Sequence, residues 1–283
     1  MFKMIGAIIG DIAGSEFEFQ SIKSKDFLFF SKDSDYTDDS LMTLAVGLTL
    51  DLARKLGKED DEAYLRQSFT ERMQSIGRKF PDPKGTYGSS FYNWIFENYP
   101  QPYNSWGNGS AMRVAACGEL ATSLKQAIFF GKQSALITHN HPEGIKGAEA
   151  VAGAVYLAKI GKDKDAIQAF IYDHYYPEHL TLDEIRPTYY FDPSCQGTVP
   201  QSLAAFFEAT SFEDAIRNTV SLGGDADTMG AITGSVAWPY FIRHGGLTED
   251  METYAKKAIQ YLPIEFRSFL KQYESALTIQ IQK

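Results

Sequence analysis

The spacing of apolar residues predicts that this chain is built from helices. From Leu41 onward, leucine and alanine side chains recur at intervals that place them on one helix face, as expected of a helix packed against a core. This stripe consists of Leu41, Leu44, Ala45, Leu48, Leu52 and Leu56. Alternating patterns typical of strands are scarce. We therefore predict an all-α fold.

Other parts of the chain show the same periodicity, and no repeat or linker divides it, so we predict one domain over residues 1–283. The turn-rich segment Pro187–Pro200 is expected to be a long ordered loop. Gly230 and Gly234 lie one helical turn apart and predict a small face that a neighbouring helix can approach closely, while Pro239 should kink or end that helix. Further helices are predicted at roughly 4–14, 61–78, 110–122, 124–136, 143–160, 164–173, 201–209, 212–222, 227–243, 249–260 and 263–276.

Composition and charge limit the possible function classes. The 283 residues are 44% hydrophobic, and 27 basic against 36 acidic side chains give a net charge of −9. Such a chain is a poor non-specific binder of nucleic acid, whose backbone attracts basic surfaces. Two cysteines, Cys117 and Cys195, do not suggest a disulfide framework. The apolar N-terminal run is interrupted by Asp11 and is too short for a membrane span, so we expect a soluble, cytoplasmic protein.

Acids cluster with hydroxyls twice, in YTDDS at 36–40 and GGDADT at 223–228, each ahead of an apolar helical run. Taken alone, each cluster is typical of a helix cap. Asp38, however, lies three residues before Leu41 and shares its buried face, where a charge needs a partner. If the two helix starts converge, each pair of like charges at about 4 Å costs roughly 4 kcal/mol. Carboxylate and hydroxyl oxygens then suit hard ions such as Mg²⁺ or Mn²⁺.

Five separated blocks of the sequence carry a resemblance to a known family. They are GDIAGSEFEF at 10–19, YTDDSLMTLAV at 36–46, SWGNGSAMRVA at 105–115, THNHPEG at 138–144 and GGDADTMGAITG at 223–234. In this order the blocks resemble the ADP-ribosylglycohydrolase family. The resemblance implies an all-α orthogonal helical bundle with a central cleft that holds two divalent cations, Mg²⁺ or Mn²⁺. It also implies cleavage of the glycosidic bond at the ribose C1″ of ADP-ribose.

The resemblance assigns the metal ligands and a catalytic carboxylate. Glu18 matches the catalytic glutamate, and Glu16 is its rival because the two alternate in SEFEF and would point the same way in an extended loop. The spacing from Gly10 and Asp11 favours Glu18, and Asp11 itself is expected to be a structural acid or cap. The implied ligands are Thr37, Asp38 and Asp39 for one ion and Asp225, Asp227 and Thr228 for the other, with Asp227 bridging.

A glycine-rich turn before a helix, with Ser110 as the expected N-cap, presents free backbone N–H groups that suit a diphosphate. The resemblance makes this turn and one histidine the substrate contacts: Ser105, Gly107, Asn108, Gly109 and His139. Trp106 is included as a substrate-binding residue with a stacking or wall role, and its alternative is a half-buried core tryptophan. His141, in the loop before the next helix, is left without a role. Which loop aromatic stacks on adenine stays open among Tyr99, Tyr103, Tyr189, Tyr190 and Phe191.

The expected function is release of ADP-ribose from a modified acceptor, which is a protein, a small molecule or a nucleic acid. Two alternatives remain: a protein that binds ADP-ribose without turning it over, and a dimetal hydrolase of another small nucleotide. The sequence leaves open the acceptor, the choice between Mg²⁺ and Mn²⁺, and the oligomeric state.

Overall fold

The computed structural model describes residues 3–278, with side chains described through Lys271. This part of the chain contains α-helices, one single-turn 3₁₀ helix at Asn108–Ser110 and no strand, so the all-α prediction is confirmed. No helix within it is both long and apolar enough to span a membrane. The helices are α1 Ile5–Gly14, α2 Asp38–Lys55, α3 Glu62–Lys79, α4 Ser89–Phe96, α5 Ala115–Leu120, α6 Leu124–Leu136, α7 Pro142–Lys159, α8 Lys164–His174, α9 Leu182–Ile185, α10 Cys195–Glu208, α11 Phe212–Val220, α12 Ala226–Gly245, α13 Glu249–Tyr261 and α14 Ile264–Thr278.

Helix α1 is the centre of the core, and all ten of its residues are buried. It packs backbone to backbone against α12. A Cβ atom added to Gly10 would lie 1.9 Å from the carbonyl oxygen of Gly230, and one added to Gly6 would lie 2.3 Å from that of Gly234. The small face predicted from Gly230 and Gly234 is therefore the contact surface between these two helices.

The pairing of α1 with α12 is antiparallel, and this determines where the helix ends lie. Gly14, at the C-terminus of α1, meets Ala226 at the N-terminus of α12, where an added Cβ would lie 2.1 Å from the Ala226 carbonyl oxygen. The loop that follows α1 therefore begins next to the first turn of α12. The second acidic cluster, at 223–228, begins that turn.

Side-chain caps fix where several other helices begin. Asp61, Ser123, Asp163 and Ser211 precede α3, α6, α8 and α11, and each side chain accepts a hydrogen bond from the backbone N–H three residues later. Such a cap satisfies a donor that the helix leaves without a partner and contributes about 1 kcal/mol. These starts agree with the periodicity in the sequence to within a few residues.

The structure corrects several predicted boundaries. Helix α10 begins at Cys195, inside the segment predicted as a loop, because Ser194 caps it by accepting from the Gly197 N–H. The helix predicted at 110–122 covers only Ala115–Leu120. Ser110 does not cap it, since its hydroxyl donates to the Gly144 carbonyl at 2.7 Å. The short helices α4 and α9 were not predicted, because they have too few turns to show a periodic stripe.

Helices α12 and α2 each depart in part from expectation. Helix α12 runs past Pro239 to Gly245, as the helix predicted at 227–243 implies, so of a kink or an end at this proline the end is excluded. Every residue of α12 through Pro239 is buried, and packing of these turns offsets the lost backbone hydrogen bond. In α2 the stripe is buried at its beginning, but Leu52 and the residue after the helix, Leu56, are exposed.

We expect Gly10→Ala to destabilise the protein strongly, because its methyl group would overlap the Gly230 backbone, which cannot move aside as a flexible side chain could. The free energy of unfolding, measured with urea, should fall by at least about 3 kcal/mol. Gly245→Ala is the matched control, since Gly245 lies in α12 with open space around the added Cβ. Similar losses in both variants would contradict the backbone contact.

Glu119 is a buried acid of α5 whose charge the fold tolerates poorly. Its Oε2 accepts a hydrogen bond from the Met4 N–H at 2.7 Å, while its Oε1 is buried with no hydrogen-bond partner among the described residues. Burial raises the pKa of Glu119 from 4.5 to about 7, against the opposing effect of the Met4 bond. The folded chain thus binds this proton more tightly than the unfolded chain.

Glu119 should therefore make the protein less stable as the pH rises from about 4.5 through about 7, by on the order of 3 kcal/mol. We expect Glu119→Gln to remove this loss, because an amide does not ionise. Urea unfolding at pH 5 and pH 8 measures the effect as a gain of the variant relative to the wild type at the higher pH. Glu97→Gln, at an exposed acid, is the control. A gain for Glu119→Gln that does not change with pH would refute this assignment.

Candidate active site

The two acidic turns, far apart in sequence, meet in the fold. The Thr228 hydroxyl, in the first turn of α12, donates to Oδ2 of Asp39, in the first turn of α2, at 3.2 Å across 189 positions of sequence. Thr37 is the N-cap of α2 and accepts from the Asp39 N–H at 3.1 Å, as a capping hydroxyl does. The helix starts therefore serve as caps and also lie face to face.

Asp11, near the end of α1, holds the start of α2 in place. One carboxylate oxygen accepts from the Thr37 N–H and the Ser40 N–H, both at 3.1 Å, and from the Ser40 hydroxyl. The other accepts from the Thr37 hydroxyl at 2.7 Å. The expectation that Asp11 is a buried cap agrees with these bonds. This carboxylate therefore ties the first acidic turn to α1, while the backbone contact of α1 with α12 brings the second acidic turn next to it.

Carboxylate oxygens from these turns are close enough to share a cation. Asp11, Asp39 and Asp227 each offer an oxygen within 4.8 Å of the others, and Glu18 and Asp225 form a second such group with Asp227. Asp227 belongs to both groups, which fits the bridging role expected of it. Asp38 is half-buried and lines the cavity next to them. The first group includes Asp11, which was not expected to be a ligand from the sequence.

Burial and mutual repulsion make these carboxylates hard to ionise. Burial, and after it the charge of neighbouring carboxylates, raises the pKa of Asp38, Asp39 and Asp227 well above the usual range. Burial raises the pKa of Asp11 and Asp225 to only about 6, because hydrogen bonds to their charged forms oppose it. Without a counterion, several members of the group must carry protons near neutral pH.

The cluster fits a hard divalent cation. Oδ1 of Asp39 and Oδ1 of Asp227 are both buried with no hydrogen-bond partner within the described chain. A buried carboxylate oxygen without a donor is costly, and a cation would satisfy it. All the available ligand atoms are carboxylate or hydroxyl oxygens, a set that Mg²⁺ and Mn²⁺ bind and that soft metals do not favour.

Glu18 and Glu16 have different surroundings. Glu18 lines the cavity, and its carboxylate lies against Gly85, where an added Cβ would be 2.5 Å from Oε2. Glu16 accepts a hydrogen bond from the Ser31 hydroxyl at 2.5 Å and is absent from the cavity lining. The chain turns directly after α1 and is not extended there, so the two glutamate side chains do not point the same way.

Burial, followed by the charges of Asp227 and Asp11, raises the pKa of Glu18 to about 8. An acid with this pKa exchanges its proton readily near neutral pH, which is the property required of a general acid or base. Gly85 has a positive φ of 78°, a conformation that glycine adopts without strain, and the lack of a side chain there makes room for the Glu18 carboxylate.

The acidic cluster forms one wall of a cavity of about 510 Å³. This volume is within the range of small-molecule and cofactor sites. Besides the carboxylates, the walls come from the start of α4, the glycine-rich turn and the loop before α10. The lining residues outside the acidic turns are Phe19, Met42, Gly85, Thr86, Tyr87, Gly88, Ser89, Ser90, Phe91, Tyr103, Ser105, Gly107, Asn108, Gly109, Met112, Arg113, His139, Phe191 and Pro193.

The glycine-rich turn is tied to the acidic cluster through Asn108. Its amide nitrogen donates to Asp225 Oδ2 at 2.7 Å and to the Thr198 hydroxyl at 3.1 Å. The Asn108 side-chain nitrogen thus donates to two protein groups. A contact of Asn108 with the substrate remains the expectation from the sequence. The Ser105 hydroxyl accepts from the Gly107 N–H at 3.1 Å, and Ser105, Gly107 and Gly109 all line the cavity.

His139 is buried and packs against the glycine-rich turn, where a Cβ added to Gly109 would lie 3.2 Å from its Nε2. Burial, and then the charge of Arg113, lowers its pKa well below the usual range, so the ring is neutral. The Thr138 hydroxyl accepts from Arg113 at 2.9 Å and lies 2.7 Å from His139 Nδ1. The Thr138 hydroxyl can then donate its own proton to His139 Nδ1. This arrangement favours the neutral His139 tautomer that carries its proton on Nε2, next to the glycine-rich turn.

Trp106, expected to contact the substrate, lies outside the cavity lining. It is 52% exposed and contacts the His141 ring edge-on at 5.6 Å between centroids. Thr37 is buried and does not line the cavity, but its hydroxyl lies 2.7 Å from an Asp11 carboxylate oxygen and 3.1 Å from Asp39 Oδ2, within the acidic cluster. His141, which the sequence left without a role, is the N-cap of α7 and accepts from the Glu143 N–H at 3.1 Å.

Of the five loop aromatics considered for adenine stacking, Tyr103 and Phe191 line the cavity. Tyr99 and Tyr190 are exposed outside it, and the Tyr189 hydroxyl donates to the Gly197 carbonyl. The structure thus reduces the candidates from five to two.

Sequence reasoning missed three parts of the cavity. Arg113 is fully buried at its wall and donates to the Ser134 carbonyl at 2.7 Å; the signal was its place in the block SWGNGSAMRVA. Phe19 stacks on Phe191 with 6.2 Å between centroids, and its position next to Glu18 was the available signal. The segment 85–91 carried no recognisable motif.

Comparison with known proteins agrees with this geometry. The model of the family described as ADP-ribosylglycohydrolase matches residues 3–237, which includes every residue of the acidic cluster and the glycine-rich turn. The chain belongs to the ADP-ribosylglycohydrolase family. A solved structure titled "ADP-ribosylglycohydrolase-related protein complex" superposes on this family member with a TM-score of 0.60 and 21% identity, covering 91% of this chain and 95% of the other, which supports the fold.

Two curated relatives are similar in sequence. ADP-ribosylhydrolase ARH3 of Gallus gallus is 30% identical over 192 residues, covering 56% of this chain and 50% of the relative. ADP-ribosylarginine hydrolase Tri1 of Pseudomonas putida (strain GB-1) is 24% identical over 260 residues, covering 83% and 68%. The chain spans about half the length of the ARH3 proteins of Gallus gallus and Xenopus tropicalis that it matches.

We expect Mg²⁺ or Mn²⁺ to raise the melting temperature of chelator-treated protein, because an ion that binds only the folded state stabilises that state. The stabilisation is about 2.7 kcal/mol when the free ion concentration is one hundred times its Kd. Asp227→Asn should lose most of this rise, since Asp227 belongs to both oxygen groups. Asp173→Asn, at an exposed acid of α8, should keep it. Thermal unfolding with and without metal measures the effect, and an equal rise in all three proteins would exclude the cluster as the metal site.

Proposed function

We propose that this protein hydrolyses the glycosidic bond at the ribose C1″ of ADP-ribose and releases ADP-ribose from a modified acceptor. Membership of the family supports the reaction class. The relatives named ADP-ribosylhydrolase and ADP-ribosylarginine hydrolase support a substrate that carries ADP-ribose. The single observation on which the proposal rests is the hydrogen bond from Thr228 to Asp39, which joins the two acidic turns at one cavity.

Thr37, Asp38 and Asp39 on one side, and Asp225, Asp227 and Thr228 on the other, would hold two divalent cations. Asp11 and Glu18 are additional carboxylates within reach of these groups. Such ions would supply Lewis-acid binding of the ribose hydroxyls and would lower the pKa of a bound water. The buried oxygens of Asp39 and Asp227 that have no donor within the described chain support this assignment.

Glu18 is the proposed acid and base. Burial and the charges of Asp227 and Asp11 raise its pKa, to about 8 before any cation binds, and this favours a protonated carboxyl that can donate to the leaving acceptor. The carboxylate that remains can then take a proton from the attacking water. Positive charge develops on the ribose at C1″ as the bond breaks, and the negative charge of the surrounding carboxylates stabilises it.

The part of the cavity lining formed by the glycine-rich turn and His139 is suited to the ADP part of the substrate. The glycine-rich turn leaves room for close approach of phosphate oxygens, and the neutral His139 ring, with its proton on Nε2, can donate to one of them. Binding energy from this remote part of the ligand holds C1″ next to Glu18, which lowers the entropic cost of the reaction. Tyr103 and Phe191 are the lining aromatics available to the adenine ring.

The acceptor is proposed only as a class. It is an ADP-ribosylated protein, small molecule or nucleic-acid end. A substrate panel that includes ADP-ribosylated arginine and serine peptides, with identification of the released acceptor, distinguishes among them. Free ADP-ribose as product supports glycosidic cleavage, whereas a mononucleotide would indicate cleavage of a phosphoester and contradict the proposal.

We expect Glu18→Gln to lower kcat for ADP-ribose release by at least about 100-fold, the range for loss of a general acid or base, with ligand affinity retained. Glu16→Gln should keep nearly full activity, because Glu16 lies outside the cavity lining. Single-turnover assays with Mg²⁺ or Mn²⁺, together with calorimetric titration of ADP-ribose, measure both quantities. Equal activity of wild type and Glu18→Gln would contradict this role, and a wild type that binds without turnover would instead identify a binding protein.

A further inference from the structure

Thr138 and His139 are adjacent residues between α6 and α7, and of the two only His139 lines the cavity. Thr138 is fully buried, and its hydroxyl oxygen lies 2.9 Å from Arg113 Nη2 and 2.7 Å from His139 Nδ1. Arg113 Nη2 also donates to the Ser134 carbonyl at 2.7 Å, which fixes the guanidinium. Hydrogen bonds therefore connect Arg113 to the His139 ring through the Thr138 hydroxyl.

The protons of these three groups can be assigned from their hydrogen bonds. A guanidinium only donates, so the Thr138 oxygen accepts from Arg113. The only other hydrogen-bond partner of the Thr138 hydroxyl within the described chain is His139 Nδ1. If Nδ1 carried the ring proton, the buried Thr138 proton would have no acceptor, which is unfavourable. All three groups are paired only when Thr138 donates to Nδ1 and the ring proton is on Nε2.

The Nε2 atom of His139 is open to the cavity. It has no hydrogen-bond partner among the described residues, yet it is not among their fully enclosed atoms, so a ligand in the cavity can reach it. Two glycines leave the space beside it free, since a Cβ added to Gly107 or Gly109 would lie 3.5 Å or 3.2 Å from Nε2. His139 thus presents one N–H donor to the cavity.

A diphosphate requires the His139 ring in this state. Its oxygen atoms accept hydrogen bonds, so a ring with its proton on Nδ1 would direct the Nε2 lone pair at them and repel them. Burial, and then the charge of Arg113, lowers the pKa of His139 well below the usual range. The ring therefore does not take up a second proton that would make both nitrogen atoms donors, and the hydrogen bond from Thr138 decides which one donates.

We propose that Thr138 is a positioning residue for substrate binding: its hydroxyl, held by Arg113, keeps the His139 ring oriented with the Nε2 proton toward the diphosphate of ADP-ribose. This inference rests on the proposed function, which supplies the ligand. Thr138 does not line the cavity, so it acts on the ligand only through His139. Substitution of Thr138 should consequently change the ligand affinity without removing a residue that contacts the ligand.

Thr138→Val and Thr138→Ser separate the hydroxyl from side-chain packing, because valine keeps the methyl group and serine keeps the hydroxyl. In calorimetric titration, we expect Thr138→Val to weaken binding of ADP-ribose by about tenfold or more, the range for loss of a hydrogen bond to a charged group. Thr138→Ser should bind ADP-ribose like the wild type. Nitrogen NMR of the isotope-labelled wild type, with His139→Gln to identify the signal, should show the ring proton on Nε2.

Ser134→Ala is the matched control, and circular dichroism checks the folding of each variant. The Ser134 hydroxyl is also fully buried and lies 3.4 Å from Arg113 Nε, but no hydrogen bond within the described chain joins it to His139, so affinity should be retained. Unchanged affinity in Thr138→Val, an equal loss in Thr138→Ser or Ser134→Ala, or a wild-type ring with its proton on Nδ1 would each overturn this inference alone. A wild type that does not bind ADP-ribose would refute the proposed function, and this inference with it.

Discussion

The close packing of α1 on α12 is the contact on which the rest of this structure depends. At Gly6, Gly10 and Gly14 the two backbones approach until no side-chain carbon fits between them. Interiors packed this tightly adopt discrete arrangements, because a small shift of either helix would separate or overlap the backbones. The antiparallel pairing therefore determines where the end of α1 and the start of α12 lie. Glu18 follows the end of α1, and Asp225 and Asp227 lie at the start of α12.

The acidic cluster is a region where stability and chemistry conflict. Hydrogen bonds from α2 to Asp11 fix the geometry of one turn, and the Asn108 bond to Asp225 fixes part of the other. Like charges held this close repel one another, and the raised pKa values of Asp39 and Asp227 express that repulsion. The fold keeps these carboxylates together because neutral packing and caps outside the cluster stabilise it. Strain of this kind is common at sites prepared for a cation or a substrate.

The part of the lining around Arg113 and His139 carries neutral and cationic groups. Arg113 is buried away from solvent and donates to Ser134 and Thr138, and Thr138 in turn contacts the His139 ring nitrogen. The cavity lining thus combines a cluster of carboxylates with a buried guanidinium and a neutral imidazole. A ligand that carries both a sugar and phosphates is compatible with such a lining.

The sequence by itself determined the helical class, most helix positions and the identity of both acidic turns. Those properties are local: periodicity, caps and motif letters depend on residues within a few turns of one another. The sequence did not predict short helices such as α4 or the start of α10 at Cys195. Neither has a periodic apolar stripe, and packing against distant parts of the chain stabilises them. Motif spacing already favoured Glu18 over Glu16, and Glu18 is the one that lines the cavity. Only the tertiary structure decided that Thr228 reaches Asp39 and that Asp11 joins the cluster. These are relations across the fold, created by the backbone contact between α1 and α12, and no local pattern encodes them.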